Sequence, residues 1–114
     1  MNAVSTPHEW TKYIKFFSEQ NLGRLTRLGI FERNADVVTD YWLESGLPLT
    51  GIDIDAHEDQ PSIQITVGNF THEVKHADKL AFKFSDSGDE DGIDISGADG
   101  RMTVLRFEDS HAVR

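Results

Sequence analysis

Residues 92–107 read Gly92-Ile93-Asp94-Ile95-Ser96-Gly97-Ala98-Asp99-Gly100-Arg101-Met102-Thr103-Val104-Leu105-Arg106-Phe107, and this stretch decides the fold. Ile93 and Ile95 alternate with Asp94 and Ser96, the period-two pattern of a strand with one wet face. Gly97 to Gly100 is turn chemistry, and Gly100 can take the left-handed conformation that a three-residue loop with a bulge requires. The spacing pairs Gly97 with Arg101, sets Ile95 opposite Thr103 and Ile93 opposite Leu105, and carries the apolar face on into Phe107. Met102 and Val104 make the returning strand apolar on its other face too. A two-sided strand belongs in the interior of a sheet.

Working back from the hairpin, an acidic loop from Asp86 to Asp91 separates it from Leu80, Phe82 and Phe84, which alternate cleanly. Ile63, Ile65 and Val67 alternate before a Gly68-Asn69 turn, and Ile52 and Ile54 alternate with Asp53 and Asp55. Leu28 and Ile30 mark a first strand, and Val37 to Leu43 a second, joined by a turn at Glu32 to Asp36. Leu47-Pro48-Leu49-Thr50-Gly51 is expected to break the sheet before Ile52. Strands this short, joined by turns this short, pair antiparallel, because parallel neighbours need crossovers of a dozen or more residues. At the N-terminus Thr6-Pro7-His8-Glu9 reads as a capping box. Trp10, Tyr13, Ile14 and Phe17 then fall at i, i+3, i+4 and i+7, one apolar stripe that runs until Gly23 supplies a stop. The expected architecture is α+β: an N-terminal helix over about residues 7–21, packed on a strongly curved antiparallel β-meander of about seven or eight strands over about 24–107. A partly open barrel is the limit of that curvature. Residues 1–114 form one domain with frayed ends.

A chain of 114 residues can bury roughly two-thirds of its unfolded surface, enough for one core. Eleven basic residues against twenty acidic ones give a formal charge of −9. That charge repels phosphate backbones and anionic lipid, so neither nucleic acid nor a membrane surface is an expected partner. Without cysteine there is no disulfide framework and no thiolate metal site. The opening MNAVSTPHEW lacks the basic start and apolar core of a secretion signal, and no apolar run approaches the ~18 residues of a membrane span. A soluble, cytoplasmic protein is expected.

The helix segment Trp10-Thr11-Lys12-Tyr13-Ile14-Lys15-Phe16-Phe17-Ser18, the Leu47-Pro48-Leu49-Thr50-Gly51 break and the ending Asp99-Gly100-Arg101-Met102-Thr103-Val104-Leu105-Arg106-Phe107 resemble family 5335 of the bacterial domains of unknown function. The resemblance covers nearly the whole chain. It implies a domain of one helix and several strands and carries no activity, cofactor or site residue with it.

One sharp chemical motif is present: His72-Glu73-Val74-Lys75-His76, a literal H-E-x-x-H. On a helix the two histidines would stand one turn apart and bind zinc while Glu73 served as general base. On a strand they would stand ~13 Å apart and could not share an ion. The segment between the Gly68-Asn69 turn and Leu80 is about ten residues long, short for a buried helix and ample for a strand, so the strand is expected. His72 and Val74 then share one face, and Thr71, Glu73 and Lys75 the other. Asp53, Asp55 and His57 fall on one strand face, with Glu58 and Asp59 just beyond, a set of donors suited to a hard cation if the strand bends. The alternative is a solvated face opposite Ile52 and Ile54. The Asp86 to Asp91 loop fails as a calcium loop, because Ser87 and Ala98 would stand where Asp and a bidentate Glu are needed. No nucleophile elbow, P-loop or dinucleotide fingerprint occurs. The sequence therefore reads as a non-enzymatic acidic domain without cofactor that binds another protein or pairs as a homodimer. The alternative is a small zinc-dependent metallopeptidase built on His72, Glu73 and His76.

Overall fold

A computed structural model describes residues 7–34, 37–55 and 61–108. The expected cap residue Thr6, the turn residues Ala35 and Asp36, the cation candidates His57, Glu58 and Asp59, and the end from His111 to Arg114 lie outside these. The described residues form a helix α1 (Pro7–Gln20) and seven strands: β1 (Leu25–Asn34), β2 (Val37–Asp55), β3 (Ser62–Val67), β4 (Phe70–Val74), β5 (Ala77–Phe84), β6 (Glu90–Gly97) and β7 (Arg101–Phe107). All belong to one antiparallel sheet of order β4-β3-β2-β1-β7-β6-β5, which is not closed into a barrel.

The closing hairpin forms in the expected register, with Ile93 opposite Leu105 and Ile95 opposite Thr103. Gly100 takes φ +88° in its turn, where a side chain would be strained. β7 lies inside the sheet as its two apolar faces require, but its second neighbour is β1, the first strand of the chain. That pairing, from Thr26 opposite Phe107 to Glu32 opposite Arg101, joins two meanders, β1–β4 and β5–β7, where a single continuous meander was expected.

The expected break at Leu47 to Gly51 is corrected: residues 37–55 are one strand of 19 residues. The stretch is a change of partner. Up to Pro48 the strand pairs with β1, from Leu49 with β3, and the ladder shifts register between Leu49 and Gly51. Pro48 has no N–H to lose, its carbonyl accepts from Gly68 N–H at 2.8 Å, and Leu49 N–H donates to Arg24 O at 2.9 Å. Two expected strands thus merge and the count settles at seven.

One core fills the inner side of the sheet. Trp10, Ile14 and Phe17 of α1 meet Leu28, Leu49, Ile63, Ile65, Val67, Leu80, Ile93, Ile95 and Leu105, all essentially inaccessible to solvent. Tyr13 departs from the expected stripe: it is 45% exposed. The helix is locked at its C-terminal end by Asn21, whose Nδ2 donates to Phe17 O at 2.7 Å and to Glu90 Oε1 at 2.9 Å. Arg24 Nη1 donates to Asn21 Oδ1, and the Arg24 guanidinium lies 4.0 Å from the centre of the Phe107 ring. Gly23, at φ +87°, makes the turn out of the helix. No described helix is long and apolar enough to cross a membrane.

Phe17 ties the layers together, with its ring 5.2 Å from Phe82 and 5.8 Å from Phe107. Phe17→Ala is expected to destabilise the domain by about 3–5 kcal/mol, the range for a buried aromatic truncation, seen as a lower urea midpoint with unchanged slope.

Candidate functional site

His72 to Val74 of the H-E-x-x-H segment lie in β4, which ends at Val74 short of the expected His76, so the helical reading is overturned. β4 pairs with β3, with His72 opposite Ile65 and Glu73 opposite Gln64. His72 and Val74 turn inward while Thr71 and Glu73 turn to solvent, as alternation demands. Glu73 Oε2 accepts from Gln64 Nε2 at 3.0 Å. His76 stands past the strand end at φ 55°, in the corner leading to β5. The three residues of the zinc alternative thus point to three different places, and among the described residues no group of three His, Asp or Glu side chains could hold a metal ion. Asp53 and Asp55 sit on the exposed side of β2 beyond its partner change.

Sequence reasoning did not foresee where His72 goes. Its Nε2 shares a hydrogen bond of 3.1 Å with Thr103 Oγ1, which links edge strand β4 to interior strand β7 across the core side. A small cavity of about 50 Å³ adjoins the pair, lined by Ile30, Val74, Lys75, Asp99 and Arg101. Arg101 is ion-paired with Glu32 of β1, and Asp99 Oδ1 accepts from the Arg101 N–H at 3.0 Å. At the same corner Ala98 N–H donates to His76 O at 2.9 Å. Burial and the Arg101 charge lower the His72 pKa below its ordinary value.

A larger groove of about 380 Å³ runs between α1 and β2, with Ile14, Lys15, Glu19 and Leu22 on one wall and Thr50 to Ile54 on the other.

The outer face of the sheet, opposite α1, carries a different feature. Across the β2-β1-β7-β6-β5 ladders its central row is Trp42, Gly29, Val104, Asp94 and Ala81, and beside it run Asp40, Phe31, Met102, Ser96 and Lys79. Trp42 lies over Gly29 so closely that a Cβ there would come 2.6 Å from Trp42 Cε3. The Arg27 guanidinium stands 4.6 Å from the Trp42 ring centre, yet 45% of Trp42 remains exposed. Asp94 Oδ1 accepts from Arg106 Nη1 at 2.7 Å, so that pair is satisfied internally. Gly29, isolated inside an apolar strand, was the available signal of close approach.

The model of a family of unknown function, DUF5335, matches residues 4–114, and the chain belongs to that family. No curated protein and no solved structure matches it.

The His72 geometry has a pH signature. A histidine whose folded pKa lies below its unfolded value of about 6.5 binds more protons unfolded, so its contribution to stability is intact above that value and is lost as pH falls below it. Urea midpoints at pH 7.5 and 5 are expected to fall less on acidification for His72→Gln than for wild type; an equal fall would contradict the arrangement.

Proposed function

We propose that this DUF5335 domain is a non-catalytic protein-binding domain whose interface is the outer face of β2, β1, β7, β6 and β5, centred on Trp42. The observation that carries the reading is the seating of Trp42: its ring is held over Gly29 and beside Arg27, and is still almost half exposed. A half-exposed tryptophan loses little conformational freedom on binding when its position is already fixed. Trp and Arg are the residues that dominate binding energy at protein interfaces, and Met and Phe are enriched beside them. Phe31 of β1 and Met102 of β7 stand in the neighbouring row, both half-buried, and Val104 stands opposite Gly29.

Size selects among protein partners. Five strands at ~4.8 Å spacing and three rows at ~6.8 Å, the third being Ser45, Arg27, Arg106, Gly92 and Lys83, give on the order of 500 Å² of face. A standard stable interface takes about 800 Å² from each partner, so the face suits a transient partner rather than a permanent homodimer. A strong curl of the sheet towards a partly open barrel is part of this reading. β4 and β5 are its two edges, yet only Lys75 and His76 separate them in the chain. Such a curl makes the Trp42 side convex.

The partner is identified by co-purification from the native cell and the complex reconstituted from pure components. Trp42→Ala is then expected to weaken it about 30-fold or more, which is about 2 kcal/mol, in a calorimetric titration, with the far-ultraviolet circular dichroism unchanged. Unchanged affinity would remove this face from the account.

A further inference from the structure

We infer that the groove between α1 and the Ile52–Ile54 edge of β2 is a second site, which takes an extended peptide segment of another protein as an added strand. β1 begins opposite Pro48, and from Leu49 onward β2 pairs with β3 alone, so among the described residues no strand lies along its other edge. Backbone groups along a strand point alternately to its two sides. Leu49 fixes the phase, since its N–H and C=O bond to Arg24 and Gly23 on the β1 side. Past the register shift the phase is fixed again by Ile52, whose N–H donates to Ser18 Oγ of α1 at 3.1 Å. The N–H and C=O of Ile54 therefore point the same way as the Ile52 N–H, into the groove.

Ser18 thus occupies one rung of an open ladder, and the rungs at Ile54 stay available to a ligand. An extended polypeptide supplies donor and acceptor at the spacing these rungs require, which a small molecule does not, and strand addition to an exposed edge is an established mode of peptide recognition. Leu22 and Ile54, above the buried Ile14 and Ile52, offer apolar surface to an inward side chain of such a peptide, in a groove of about 380 Å³. Glu19 and Asp53 outnumber Lys15 there, on a chain of net charge −9, so a peptide with basic flanks is favoured over an acidic one. A second copy of this chain is the poorer occupant, because its edge strand β5 carries Asp78, Lys79 and Lys83, charges that oppose edge pairing, and its other edge strand, β4, is only five residues long and carries Glu73. The groove lies on the helix side of the sheet and Trp42 on the other, so neither site depends on the other.

The probe is the peptide acetyl-Lys-Val-Thr-Val-Lys-amide, titrated into nitrogen-15-labelled full chain. The expected result is saturable amide shifts at Ser18, Ile52, Asp53 and Ile54 at up to millimolar peptide, slowed exchange of the Ile54 amide, and loss of both in Ile54→Pro but not in Ile54→Val. Slowed exchange in the wild type keeps the test valid should Ile54→Pro fail to fold. Shifts absent at these residues, or confined to Trp42 and Phe31, would overturn the proposal. So would concentration-dependent self-association that protects Ile54 without peptide, which would assign the edge to a second copy.

Discussion

Pairing of the first strand with the last is the constraint on which the molecule depends. The chain makes two meanders, β1–β4 and β5–β7, and each alone would leave apolar surface of the shared core open to water. The β1–β7 ladder lets Leu28 of one meander meet Leu105 of the other in the core. It also places Phe107 under Phe17, so the helix covers both meanders at once. Closing so long a loop costs little more entropy than closing a short one, because the cost grows only as the logarithm of loop length. Its price is kinetic, since contacts this distant in sequence form late.

The surfaces follow from that frame. α1 packs on the inner side, where its C-terminal end is tied to β6 through Asn21 and Glu90. Among the described residues no element covers the outer side, and there the gap at Gly29 seats Trp42. Because β1 starts only at Leu25, the last seven residues of β2, 49–55, outrun it, and among the described residues that edge is met by Ser18 at Ile52. At the opposite end of the sheet, the corner between β4 and β5 meets the β6–β7 turn through His76 and Ala98, with His72 and Thr103 just inside.

Much of this was legible in the residues. Period-two alternation located the strands around Ile30, Ile52, Ile65, Phe82 and Ile95, the short span between the Gly68-Asn69 turn and Leu80 located β4, and the Gly97 to Gly100 turn fixed the closing register, because these signals are local. The Leu47 to Gly51 stretch misled, since a proline and a glycine that would end an ordinary strand also serve a strand that changes partner, and only the neighbours distinguish the two. Tyr13 sat at the right spacing for the core and faces solvent, because periodicity reports a stripe and not its width. His72 was placed on one face with Val74, but its bond to Thr103 joins residues 31 apart, and no local pattern carries that. The surface at Trp42 was hidden for the same reason: Trp42 and Gly29 meet only through the β1–β2 register.

Native-state hydrogen exchange tests the central claim most directly. If the β1–β7 ladder unites the two meanders, the amides of Leu28 to Phe31 and Thr103 to Leu105 exchange only through global unfolding, with one common opening free energy that falls with urea at the global slope. Exchange of β5, β6 and β7 together through a smaller opening, while β1 to β4 stay protected, would show two independent units and contradict the account.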